Sequence, residues 1–169
     1  PLLNNLDFRK ALAYAINKTK IIEVSYLGYA KEATGPLPPA LSYWYNPNVT
    51  QHHYNITRAK ELLKNVGYSG EPITLKVVDD DPLRINASQI ITQYLEAAGV
   101  NVTLELLPRD QWWLDVFVNF NFDLVLTGIT LNVDPDIYPL YHSNGDFNPW
   151  GYSNPELDTL LEQGRTEYN

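Results

Sequence analysis

The sequence contains no cysteine and no methionine. The first absence excludes disulfides, thiolate metal sites and cysteine nucleophiles together. The second removes even an initiator residue, and Pro1 stands directly before a helical pattern with no signal-peptide pattern ahead of it. An excised piece or a processed product of something longer is the expectation. Nowhere do apolar residues run to the ~18 needed to cross a bilayer. Positive charge is scarce: 12 Lys and Arg face 20 Asp and Glu, a net charge of -8. That balance repels phosphate backbones, so nucleic acid is not an expected partner. No Gly-x-Ser-x-Gly, phosphate loop or dinucleotide fingerprint occurs. His52, His53 and His142 lack the spacing of a zinc or nickel site, and Asp79, Asp80 and Asp81 lack the spaced oxygens and Gly of a calcium loop. No metal and no cofactor are expected.

What is present suits a folded chain. At 169 residues, 44% of them hydrophobic and 12% aromatic, it has one domain's length and can bury roughly 70% of its unfolded surface. The acceptor pattern Asn-x-Ser/Thr begins at Asn17, Asn48, Asn55, Asn86 and Asn101, where chance gives roughly one or two. Two readings stand side by side: Asn and Thr as turn and cap residues, or a glycosylated, extracytoplasmic surface. Without cysteine, the second suits a prokaryotic exterior.

Periodicity supplies the elements. Asp7 is placed to cap a helix whose apolar face is Phe8, Ala11, Leu12, Ala15 and Ile16. A second amphipathic segment over 21–27 stops at Gly28. The stretch 34–50, rich in proline and aromatics, reads as irregular. Thr57 is the expected cap of a helix with Ala59, Leu62, Leu63 and Val66 on one face, ended by Gly67 and Tyr68. Strand (73–78), helix (84–98, ended by Gly99) and strand (102–107) form a parallel βαβ unit. A helix over 111–118 and a nearly continuous apolar strand over 122–129, read as buried on both faces, follow. A short helix near 137–141 and a last one opened by Asn154 and Pro155 complete the set.

Six stretches, in order, resemble the extracellular solute-binding proteins of ABC importers, in the oligopeptide- and dipeptide-binding family (family 5). They are LDFRKALAYAINKTKII (with Arg9, Ala11, Ala15, Ile16 and Asn17), ATGPLPP at 33–39, YNITRAKELLKNVGY at 54–68, EAAGVNVTLELL, FDLVLTGIT and GYSNPELDTLLEQGR. In the third, Asn-Ile replaces the family's Asp-Pro. The resemblance implies an α/β, periplasmic-binding-protein-like (type II) lobe: a mixed sheet containing the parallel βαβ unit, flanked by helices. It implies that residues 1–169 are the inserted, ligand-binding lobe of a two-lobe receptor whose second lobe lies outside this chain. The implied function is capture of a small solute by hinge closure, outside the cytoplasm and membrane-anchored in the full protein, for delivery to an ABC permease.

The resemblance also points to site residues. Peptide-binding members pair backbone with the ligand after the third strand and place an Asp a few residues beyond its Gly to hold the ligand's amino terminus. Here the Gly is Gly128, and Asn132 stands where Asp is expected. A neutral amide cannot make the charge-assisted bond that an ammonium group favours. Asp134 can substitute if the loop shortens toward the cleft, its other reading being an Asx turn ahead of Pro135. Thr130 is a further hydrogen-bonding candidate. Trp112 falls at the family's aromatic position near the ligand, with Trp113 turned about 100° away; its other reading is core. Trp44, between Tyr43 and Tyr45, is the second aromatic candidate. Peptides are the first solute class and oligosaccharides the alternative. A carbohydrate hydrolase using Asp134 and Asp136 is the enzymatic alternative, but no second motif supplies an acid across the sugar, and the expectation is no enzyme.

Overall fold

The computed structural model describes residues 2–167 and divides into two compact units: the chain up to Trp112 with Phe122–Thr127, and Trp113–Asn121 with the chain from Gly128 onward. In the first unit, helix α1 (Leu6–Ala15) begins where the Asn5 side chain accepts hydrogen bonds from the amides of Asp7 and Phe8 at 2.9 and 3.3 Å. The cap is therefore Asn5 and not Asp7, whose carboxylate sits in the first turn facing the positive end of the helix dipole. Asn17 caps α2 (Lys18–Ser25). Asn55, and not Thr57, caps α3 (Ile56–Asn65), its Oδ1 accepting from the Arg58 amide at 2.9 Å. In both corrections the helix starts earlier than its apolar face, because the Asn amide oxygen reaches the free N–H groups of the first turn. Helix α3 ends as expected at Gly67, whose φ of 71° lies in the left-handed region. The Tyr68 amide donates to the Leu63 carbonyl at 3.0 Å and the Gly67 amide to Lys64 at 3.1 Å. Tyr68 then lays its ring on Phe8, with centroids 5.4 Å apart.

The βαβ unit forms as its alternation requires: β1 (Ile73–Val78), α4 (Pro82–Ala98) and β2 (Val102–Leu107), paired in parallel from Ile73 with Val102 to Val78 with Leu107. Helix α4 starts earlier than the periodicity suggests. Asp81 caps it, accepting from the Leu83 and Arg84 amides at 3.1 Å each, with Pro82 at the first position. Its neighbour Asp80 takes the Arg109 guanidinium with two hydrogen bonds, at 2.9 and 2.7 Å. The acidic run thus serves as a cap and an ion pair.

Two expectations about the sheet are corrected. The third strand, β3, is only Leu124–Val125 and half-buried, not a doubly covered strand from 122 to 129. Just before it, the Asp123 carboxylate, and not a backbone carbonyl, accepts from the Thr74 amide and hydroxyl, at 2.8 and 3.1 Å. After it, among the described residues, only the Leu126 amide still bonds β1, at the Lys76 carbonyl. The sheet, in order β2-β1-β3, is parallel in each described pair and not mixed. Each strand is reached through a helix-bearing connection that returns the chain to the same end. Central β1 is buried along nearly its whole length, and Ala11, Ala15 and Ala59 are fully buried in α1 and α3. These small residues and Phe8, Leu62 and Leu95 form one core with the sheet. Residues 26–55 contain no helix or strand, as their prolines predict.

Helix α5 (Arg109–Trp113) continues as a π-helical turn, Leu114–Val118, whose closing bond runs from the Asn119 amide to the Leu114 carbonyl at 2.8 Å. The expected continuous α-helix over 111–118 is thereby corrected: its second half is a π-helical turn, within which Asp115 and Val116 are buried. In the second unit, α6 (Tyr138–Tyr141) and α7 (Pro155–Thr166) are linked by side chains. Asn154 caps α7 as its sequence indicates, accepting from the Glu156 and Leu157 amides.

Candidate functional site

A hollow of about 290 Å³ opens within the second unit. Its wall is mostly apolar, from Phe117, Ile129, Leu131, Pro139, Leu140 and Phe147, with Gly128, Thr130 and Asp136 completing it. The π-helical turn contributes Phe117, against which Trp113 packs at 4.5 Å between centroids, with Phe147 6.5 Å from Trp113. Phe147, edge-on to Phe117 at 6.3 Å, is held by the loop after α6. The Phe147 amide donates to the Pro139 carbonyl at 2.9 Å, and the Gly145 amide to His142 at 2.8 Å. Gly145 has to be glycine there: an added Cβ would lie 2.7 Å from the Tyr138 carbonyl oxygen and collide with that of Pro139. Trp150 closes the loop by donating its indole N–H to the Leu140 carbonyl at 2.8 Å.

Asp136 is the charged group of the wall. Its carboxylate accepts from the Tyr138 amide at 3.0 Å and from the Arg165 guanidinium in bidentate fashion, the Nε contact to Oδ2 being 3.2 Å. These bonds, Arg165 foremost, hold the Asp136 carboxyl below its ordinary range against a smaller opposing effect of desolvation. Arg165 also lies flat over the Tyr138 ring, 3.6 Å from its centroid. Tyr138 stacks at 4.1 Å on His142, which is 3% exposed. The Asn144 amide donates to His142 Nδ1 at 3.0 Å, so Nε2 carries the ring hydrogen toward Glu162 at 3.2 Å. Hydrogen bonds from Ser143 hold the nearby Asp158 carboxyl low as well. The column Arg165–Tyr138–His142 thus ties α6 to α7, and its Arg165 holds Asp136, which lines the hollow.

Of the residues singled out by sequence, Gly128 and Thr130 line this hollow; Asn132 and Asp134 are exposed and do not. Asp136, considered only with the enzymatic alternative, does. Trp112 is 5% exposed, whereas Trp113 is 46% exposed and belongs to the aromatic group beside the hollow. Trp44 lies in the first unit, 46% exposed and edge-on to Tyr43 at 4.9 Å. Sequence reasoning missed Phe117, Phe147 and Arg165. For Phe117 a signal existed, since it stands four residues after Trp113 on the same helical face. Nothing local links Arg165 to Asp136, 29 residues earlier.

The backbone of the wall is as informative as its side chains. Among the described residues, no hydrogen bond involves the amides or carbonyls of Gly128, Ile129, Thr130 or Leu131. The chain presents a row of unused donors and acceptors beside an apolar hollow. A second hollow, of about 240 Å³, lies in the first unit around Asn17, Lys18, Glu32, His52 and His53. The Lys18–Glu32 ion pair at 3.0 Å occupies its rim.

Residues 1–150 match the family of bacterial extracellular solute-binding proteins, family 5 Middle. The chain is 33% identical over 172 aligned positions to the glutathione-binding protein GsiB of Pectobacterium atrosepticum, covering 94% of this chain and 33% of that protein. It therefore spans about a third of the length of the curated relatives it matches. Its structure is similar to that of the ABC transporter substrate binding protein CtaP of Listeria monocytogenes, with TM-score 0.90 and 25% identity over 100% of this chain and 36% of that one. The periplasmic binding protein DppA of Helicobacter pylori, in complex with the peptide STSA, is similar at TM-score 0.84 and 26% identity over 96% of this chain and 33% of that one. These likenesses agree with the order of motifs along the sequence and with the parallel βαβ core. The chain belongs to the bacterial extracellular solute-binding proteins of family 5.

Proposed function

We propose that this chain is the ligand-capturing portion of an extracytoplasmic receptor that delivers peptides to the permease of an ABC importer. The observation that carries this reading is the unpaired backbone of Gly128–Leu131 beside an apolar hollow. Extended peptide backbone satisfies such groups strand-fashion, while its side chains enter pockets at alternate positions. At about 290 Å³ the hollow is at the small end of ligand sites, which run from ~300 to 1,000 Å³. It suits one apolar side chain, not a whole ligand. Relatives support the class: one is named for binding glutathione, and the structure of another is of a complex with a peptide.

Asp136 is engaged by Arg165, so a peptide ammonium has to share it, with exposed Asp134 as the nearby alternative anion. The same ion pair weighs against a hydrolase, because a general acid needs a raised pKa and Asp136 is shifted down. No reaction is assigned; the mechanism is capture and release. In this reading the chain supplies one side of the binding cleft, and a second lobe outside this chain closes over the ligand.

Calorimetry of the full-length receptor with glutathione, the tetrapeptide Ser-Thr-Ser-Ala, a short apolar peptide and a maltooligosaccharide tests the proposal. Binding of at least one peptide and not of the sugar is the expected result. Binding of the sugar alone overturns it. Thr130→Pro removes one amide donor from the wall without breaking any hydrogen bond of the fold. It should weaken peptide binding by up to about tenfold, corresponding to ~0.5–1.5 kcal/mol for one hydrogen bond, at nearly unchanged stability.

A further inference from the structure

We infer that Asn48 is an N-glycosylation site. All five Asn-x-Ser/Thr patterns fall in the first unit, and none in the unit that holds the candidate ligand hollow. The fold separates the five by use. Asn17 and Asn55 cap helices, so a transferase would have to unwind the first turn of α2 or α3 to reach them. Asn86 lies inside α4, and its Ser88 is fully buried with its hydroxyl bonded to the Ile85 carbonyl at 2.8 Å. Asn101 donates its amide to the Gly70 carbonyl at 3.0 Å, and its Thr103 is part of β2.

Asn48-Val49-Thr50 differs in each respect. It lies outside helix and strand, and all three residues are exposed, Val49 at 42%. Among the described residues, neither the Asn48 side chain nor the Thr50 hydroxyl makes a hydrogen bond; only their backbone groups do. The tripeptide is nevertheless held at both ends. Thr34 donates its hydroxyl to the Asn46 carbonyl at 2.6 Å, and Gln51 donates its amide to the Val49 carbonyl at 3.0 Å. A displayed loop with an idle amide and an idle hydroxyl two residues on is what an oligosaccharide transferase needs from a folded acceptor. The donor class is a polyprenyl-phosphate-linked oligosaccharide. Asn48 Nδ2 attacks the anomeric carbon, the C–N bond forms as the C–O bond to phosphate breaks, Nδ2 gives a proton to the transferase base, and the lipid phosphate leaves with the bonding pair. The inference rests on the extracytoplasmic location proposed above but not on the ligand class.

Peptide-resolved mass spectrometry of the full-length protein, purified from the cells that make it and fractionated by compartment, tests the site. The expected result is a glycan on the Asn48 peptide, with the Asn86 and Asn101 peptides bare. Thr50→Val should abolish the modification, Thr50→Ser should retain it, and neither should change the melting temperature. A bare Asn48 in protein recovered from outside the cytoplasm overturns the site alone and leaves the receptor reading intact. Recovery from the cytosol only overturns both. A glycan on Asn86 or Asn101 in place of Asn48 overturns the argument from structural use.

Discussion

Adjacent tryptophans divide the labour of core and surface. Trp112 is buried and Trp113 half-exposed beside Phe117 and Phe147, a division that the 100° step between helical neighbours permits. Trp112→Ala should therefore destabilise the protein by ~3–5 kcal/mol, the cost of emptying a large core site. Trp113→Ala should cost far less stability while weakening ligand binding in the full receptor. Urea melts and calorimetry on the two variants separate the effects; equal stability losses would mean that the indoles do not differ in role. Asp136 offers a test by pH. Its folded pKa is lowered, chiefly by Arg165, from an ordinary value of 3.8, so the ionised form is the one that stabilises the fold. That contribution is full above the ordinary value and is lost as pH falls through the lowered one. The stability advantage of the native residue over Asp136→Asn should be constant at neutral pH and vanish in an acid series of melts below 3.8.

At the scale of elements, the weak point of the sheet is β3, two residues long. It is joined to β1 by the Asp123 carboxylate, which satisfies the Thr74 amide and hydroxyl in a partly buried place. Asp123→Ala leaves that amide without a partner and should cost ~1–3 kcal/mol. Hydrogen exchange should show the loss at Thr74 and Leu126 before it appears elsewhere in β1. Uniform loss over the whole sheet would show instead that β3 does not open separately. The helices and the βαβ unit were legible because their signals are local: apolar spacing, Asn or Asp before the first turn, Gly67 and Gly99 at the ends. The length of β3 and the π-helical turn were not, because a run of apolar residues does not reveal which of them find a hydrogen-bonding neighbour.

At the scale of the whole molecule, the chain covers about a third of its curated relatives, and the proposed second lobe lies outside it. A ligand held on one jaw keeps much of its surface in water, so little of the contact energy exceeds the cost of association. The isolated chain should unfold cooperatively in a thermal melt yet bind glutathione or short peptides orders of magnitude more weakly than the full receptor. Sub-micromolar binding by this chain alone would count against capture between two lobes. Motif order was sufficient to identify the family, because it records local structure repeated in the same sequence.

The sequence by itself determined the helix faces, the parallel βαβ core and, through Gly128 and Thr130, the stretch of chain that walls the hollow. Local periodicity and turn chemistry decide the helix faces and the βαβ core, acting within a few residues, whereas Gly128 and Thr130 were indicated by the resemblance to the family. Only the tertiary structure decided that Asp136 and not Asn132 or Asp134 faces the hollow, and that Arg165 neutralises it. It also decided which tryptophan is core and which of the five Asn-x-Ser/Thr tripeptides lies exposed outside helix and strand. The pairing of Asp136 with Arg165 depends on a partner brought from a distant part of the chain. Burial and pairing across such distances follow from packing, which no local pattern encodes.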